Sequence, residues 1–231
     1  MNQEQFIINQ VDQTALNRFF GKIYGFVAAG IGLSALVAYL SLTVFQGFTL
    51  RLLLGGSFAI WLIMLAELAL VFAASRMAAQ NSPMTLPMFL AYSVMNGFTL
   101  SVALLAYTGE TVLTAFLTAA LMFVAMAVLG LTTKKNLSGM GQALYAALIG
   151  VIIASVVNFF LASSGMSFVI SIISVLIFSG LIAYDNQRIR YVFEETNGEV
   201  GQGWVVSMAL SLYLDFVNLF LNLLRILGSR D

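Results

Sequence analysis

The sequence predicts an all-α integral membrane protein of about seven transmembrane helices. Three observations lead there. First, 61% of the residues are hydrophobic and only 9% are charged, against roughly 25% charged in an average soluble domain. A chain so poor in charge cannot clothe a globule for water, so the bilayer must be its solvent. Second, the apolar residues come in long runs, each near the roughly 20 residues that a helix needs to cross hydrocarbon. The 231 residues hold about seven such runs with short loops, and no sizeable soluble domain besides. Third, the runs exceed the roughly 9–11 residues of a barrel strand and do not alternate.

The first run covers residues 23–45, behind a polar stretch at 1–22. That stretch has neither the basic start nor the cleavage site of a signal peptide, so the first span is expected to stay in the mature protein. The organisation expected is a polar cytoplasmic tail at 1–22 and one seven-helix domain at 23–231. Small residues recur at four-residue spacing in the first helix (Gly21, Gly25, Ala28, Gly32), a pattern that lets helix backbones approach closely. The second run covers 50–74 and the third 84–107, with Pro83 and Pro87 at its start, where a missing N–H costs little. The fourth, fifth and sixth runs cover 112–131, 141–162 and 168–184. A polar loop at 188–203, with Glu194, Glu195 and Glu199 in water, leads to the seventh at 204–227.

Orientation follows from the basic residues. Arg18, Lys22, Arg76, Lys134, Lys135, Arg188 and Arg190 fall on one side of this arrangement, with Lys134–Lys135 as an anchor pair. Arg51, Arg225 and Arg230 fall on the other. The protein is therefore expected to be a multi-pass protein of the cell membrane with a cytoplasmic N-terminus. Zero net charge gives no electrostatic case for a nucleic-acid partner. With no cysteine, disulfides, thiolate metal sites and redox switching are excluded. Histidine, the usual sensor of pH between about 5 and 8, is absent too, so proton sensing would fall to carboxylates.

Acidic residues at membrane depth are the informative signal, because such residues mark pathways and relays. Three qualify: Glu67 in the second run, Asp185 at the cytoplasmic end of the sixth, and Asp215 near the middle of the seventh. The seventh helix carries a polar stripe, Ser207, Ser211, Asp215, Asn218, Asn222 and Arg225, at steps of four, four, three, four and three. These positions share one face, opposite Leu212, Phe216, Leu219 and Leu223. A thinner stripe, Ser171, Ser174, Asp185 and Arg188, runs down the sixth. The seventh helix should thus sit centrally and face the sixth.

An ionised Asp at a helix centre costs roughly 2.5–3.5 kcal/mol on the insertion scale. Protonating an ordinary Asp at pH 7 costs about 4 kcal/mol. The two are close, so neighbours decide the charge. Facing carboxylates would share a proton and titrate as a unit, a pair that responds to acidification without histidine. The bland alternative is an aspartate ion-paired to Arg76 or Arg188 that only orients helices.

The segments GLIAYDNQRIR (180–190) and LSLYLDFVNLFLNLLRILG (210–228) resemble the Bax inhibitor-1 family of membrane proteins. ELALVFAASR (67–76), TTKKNLSGMG (132–141) and LIGVIIASVVNFFL (148–161) support the likeness, which runs from the second helix to the end. The resemblance implies seven helices with the C-terminal one wrapped by two groups of three. For a bacterial member it implies a pH-sensitive calcium leak. Asp185 and Asp215 match the family's proton-sensing pair and would meet calcium transiently. Arg76 is the nearest match to a basic residue that latches the first aspartate, and Glu67 matches the family's membrane glutamate.

The leading expectation is therefore a passive calcium leak gated by Asp185 and Asp215. Arg76, Glu67 and Arg188 would support the pair, and Ser211, Asn218 and Asn222 would line the path. Calcium is the permeant ion and no resident cofactor is expected. Calcium prefers about six to eight oxygens, so so sparse a set suits transit better than storage. A regulatory protein acting on a membrane protease or stress response, with a membrane-protein partner, is the alternative. An intramembrane aspartyl protease is a third: Tyr184–Asp185 imitates its YD motif, but Asp215 follows Leu212-Tyr213-Leu214 rather than GxGD, and no PAL motif follows. No enzyme is expected. A coupled transporter would need broken helices, which the sequence does not signal.

Overall fold

A computed structural model describes residues 3–54 and 57–228. Its elements are α1 (Gln3–Thr43), α2 (Gln46–Leu54), α3 (Ser57–Ala79), α4 (Thr85–Leu104), α5 (Gly109–Thr132), α6 (Ser138–Leu161), α7 (Ser164–Glu195) and α8 (Gln202–Gly228). Seven of them are long and apolar enough to cross a membrane, and no strand occurs among the described residues. The all-α, seven-span expectation holds. Arg230 and the outermost residues of both ends lie outside the described residues.

Three boundaries differ from the hydropathy reading. The polar tail is helical from Gln3 and continuous with the first apolar run. The second run divides into the short α2 and the long α3. The division leaves Arg51, costly inside hydrocarbon, in the last turn of α2. Finally, the expected loop after residue 187 is helix as far as Glu195. No glycine or proline interrupts 185–195, and Ile189 and Phe193, four apart, are both buried. α7 ends where Asn197 turns left-handed, the Asn197 N–H donating to Glu194 O and the Gly198 N–H to Phe193 O. That is the paired bonding of a Schellman cap. Glu194 and Glu195 thus close a helix, and Glu199 follows it.

The chain divides into two compact units. One comprises Met1–Ala106 with Val192–Tyr213, the other Tyr107–Tyr191 with Leu214–Asp231. Each holds three long spans and a part of α8.

In the first unit, α1 and α3 both pack on α4, and α2 touches α1 and α3. The small-residue stripe of α1 is not the packing face. Gly21, Gly25 and Gly32 have open space where a Cβ would stand. The buried face is Phe20, Ile23, Val27, Gly30, Ser34, Ala38 and Ser41, because bulk on one side and small residues at the crossing bury more area than four glycine-like positions. The close approach sits elsewhere: a Cβ on Gly97 would stand 2.6 Å from Ser34 O. Pro87 lies in the first turn of α4, whose N–H groups have no intrahelical acceptor. Asn81, with φ of 47°, accepts the Gly203 N–H at its side-chain oxygen at 2.7 Å and so fixes where α8 starts. Phe19, Phe193 and Trp204 stack beside it.

In the second unit the spans also meet at glycines. A Cβ on Gly130 of α5 would overlap the Ala183 carbonyl of α7, and one on Gly141 of α6 would enter the Tyr184 ring. Phe116 and Phe123 of α5 present edges to Phe216 and Phe220 of α8 at centroid distances of 5.6 to 6.1 Å, a favoured geometry for aromatic pairs. α6 is the converse of a core helix, with Ile149, Ile152, Ile153, Val156, Phe159 and Phe160 all exposed for lipid to cover.

α8 is the most buried span, at 67% of its window against 6% for α3 and α6. Its polar stripe is buried at Asp215 and Asn222, as expected, yet Leu212, Phe216, Leu219 and Leu223 on the other face are buried too. Overpacking a core position costs about 1–3 kcal/mol. Gly97→Val should therefore lower the midpoint of thermal unfolding in detergent, while Gly150→Ala, with nothing near its Cβ position, should leave it within error.

Candidate functional site

Asp185 and Asp215 both belong to the second unit. They are 0% and 6% exposed, so lipid and bulk water are kept from both. The two carboxylates are near enough to act on each other electrostatically. Asp215 Oδ2 is buried with no hydrogen-bond partner among the described residues. Because α7 continues to Glu195, Asp185 stands within the helix rather than at its end.

Neighbours that hydropathy does not flag complete this cluster. Asn186, fully buried beside Asp185, donates its amide to Ile182 O at 2.7 Å. Tyr145 of α6 meets Tyr184 edge-on at 6.1 Å and lies in the electrostatic field of Asp185, Asp215 and Arg188. Two polar side chains then tie α7 to the end of α5 and the loop that follows it. Gln187 accepts the Leu137 N–H and donates to Lys135 O, each at 2.8 Å. Arg190 donates to Leu131 O at 3.2 Å. These residues were legible only as a polar tail on a membrane helix; their spacing of three, one helical turn, was the available signal.

The arginines proposed as latches stand differently. Arg76 and Arg188 are exposed and make no ion pair among the described residues. Lys134 and Lys135 are exposed, as an anchor requires. On α8, Asn218 donates to Leu214 O and Asn222 to Asn218 O, each at 2.8 Å. Their amide nitrogens are thus spent on their own helix, leaving the Oδ1 atoms as acceptors. Ser211 belongs to the first unit with Glu67 and Arg76, not to the unit that holds the aspartates. Among the described residues no group of three or more His, Cys, Asp or Glu could hold a metal ion.

A second polar cluster lies in the first unit. Glu67 Oε1 accepts from Thr99 Oγ1 at 2.7 Å. Close by, the Tyr213 hydroxyl donates to Asn96 Oδ1 at 2.9 Å and meets Ser34 Oγ at 2.6 Å, and Ser34 donates onward to Ser93 O at 2.7 Å. Tyr213 is fully buried, with Phe89 and Tyr92 edge-on to its ring.

Residues 16–231 match the family model described as inhibitor of apoptosis-promoting Bax1. An uncharacterized membrane protein of Streptococcus pyogenes serotype M1 is 52% identical over 225 residues, covering 97% of this chain and 98% of its own length. The Lactococcus lactis protein YrjE is 45% identical over 228 residues, covering 99% and 97%. The inner membrane protein YbhL of Escherichia coli K12 is 38% identical over 226 residues, covering 94% of each.

The Gln187 clamp gives a local prediction. A hydrogen bond is worth about 0.5–1.5 kcal/mol net. Gln187→Leu should therefore speed hydrogen exchange at the Leu137 amide several-fold while leaving exchange within α1 unchanged.

Proposed function

This chain belongs to the Bax inhibitor-1 family of membrane proteins, and from that premise we propose that it is a pH-sensitive calcium leak of the cell membrane, gated by protonation of the Asp185–Asp215 pair. The observation that carries the reading is the burial of two mutually interacting carboxylates on α7 and α8 in a chain without histidine. Two charges in so dry a site repel strongly. A single shared proton relieves that repulsion, and its occupancy rises as pH falls. Losing it leaves two anions that a divalent cation neutralises. The acceptors Asn218 Oδ1 and Asn222 Oδ1 extend the set along α8 without adding charge. So few ligands bind calcium weakly enough to release it, which conduction requires.

Arg188, one turn beyond Asp185, is a cation of the same unit available to bias the pair. The N-terminus is read as cytoplasmic from the basic residues at Arg18, Lys22, Arg76 and Lys134–Lys135. The carboxylates serve conduction in this reading and do no bond-breaking chemistry.

Calcium flux into proteoliposomes, measured from mildly acid to mildly alkaline pH, tests the proposal. Asp185→Asn and Asp215→Asn each remove one member of the proton-sharing pair, so each should flatten the pH response. A response unchanged in both variants rejects the pair as the sensor.

A further inference from the structure

We propose that the first unit holds a binding site for a small amphipathic amine, a primary ammonium on a short apolar body, in the cavity beside Glu67. The cavity is a partly open cleft of about 270 Å³ between α3 and α4, with Leu52 of α2 also lining it. Its walls are the apolar side chains of Ile63, Met64, Leu68, Val71, Phe98 and Val102, and its polar groups are Glu67, Thr99 and Tyr92.

Those three groups are incompletely satisfied. Glu67 spends one oxygen on Thr99 and, among the described residues, has no ion pair and no second hydrogen bond. Tyr92 is 6% exposed and lines the cavity, yet its hydroxyl makes no hydrogen bond among the described residues. Tyr92 and Glu67 are close enough to interact electrostatically. Glu67 is half-buried, and a carboxylate in an apolar wall calls for a cation.

The shape of the demand selects the ligand. A primary ammonium has three donors and one positive charge. The free oxygen of Glu67, the Tyr92 oxygen and the Thr99 oxygen, whose own proton goes to Glu67, supply three acceptors. Calcium would want about six to eight oxygens, which this wall lacks. A lipid tail would suit the apolar side chains but leave the carboxylate and hydroxyl unanswered. The volume falls just under the roughly 300–1,000 Å³ of drug-sized pockets, so the apolar body is short. The site stands apart from the leak reading and does not depend on it.

Thermal unfolding of the full chain in lipid nanodiscs tests the site, with n-octylammonium chloride, n-octanol and calcium chloride as the probes. Octylammonium should raise the midpoint in a concentration-dependent way, since a ligand of the folded state stabilises by mass action, and octanol should not. Glu67→Gln should weaken the apparent affinity by about tenfold or more, as loss of a charged hydrogen bond does. Val102→Trp, which fills the cavity and keeps the carboxylate, should also abolish the shift, so the result stands even where Glu67→Gln fails to fold. Equal shifts with octanol and octylammonium would mark a slot for lipid tails and overturn the proposal. So would a shift with calcium but not with the amine, no shift with any probe, or an undiminished shift in either variant.

Discussion

In a bilayer core no water waits to take a hydrogen bond, so every polar atom must find its partner within the protein. Donors have an easy answer on a helix, because a carbonyl oxygen one turn back has a spare lone pair. This chain uses that answer repeatedly: Thr118 donates to Thr114 O, Ser155 to Val151 O, Asn186 to Ile182 O, Asn218 to Leu214 O and Asn222 to Asn218 O. Pure acceptors have no such recourse, since the helix interior has already spent its N–H groups. An ionised carboxylate is a pure acceptor. Asp185, Asp215 and Glu67 are therefore the side chains that a membrane helix cannot satisfy on its own.

The two units handle the problem differently. Around Glu67 the answer is a hydroxyl, Thr99, on the adjacent helix, with a second network of hydroxyls and an amide anchored on Tyr213. Asp185 and Asp215 are both buried and lie within electrostatic reach of each other. α8 enters both clusters, through Tyr213 in one and Asp215 two positions later in the other. Positions two apart on a helix point nearly opposite ways, so Tyr213 and Asp215, both buried, already account for burial on two sides of α8.

Much of the site was legible beforehand because charge in an apolar run is conspicuous. Asp185, Asp215 and Glu67 stood out on composition alone, and the spacing of Ser211, Asn218 and Asn222 placed them on one face. Tyr145, Asn186, Gln187 and Arg190 did not stand out. A tyrosine in a membrane helix is ordinary, and a polar residue near a helix end reads as solvent. For Gln187 and Arg190 the roles come from contacts across 50 or more positions of chain, as between Gln187 and Leu137. The glycine stripe of α1 failed for the related reason that spacing shows a pattern without showing whether a neighbour faces it. Gly97 and Gly130, which carried no pattern, are where helices meet closely.

Hydropathy and charge belong to each residue singly, so by itself the sequence determined the solvent, the helical class, the number of spans and the side chains that lipid would not tolerate. Packing belongs to pairs. Only the tertiary structure decided that α7 runs on to Glu195, which face of α1 is buried, that two aspartates thirty positions apart share one dry site, and that a cavity opens beside Glu67. Those outcomes depend on which surfaces of distant helices fit together, a property that no single residue carries.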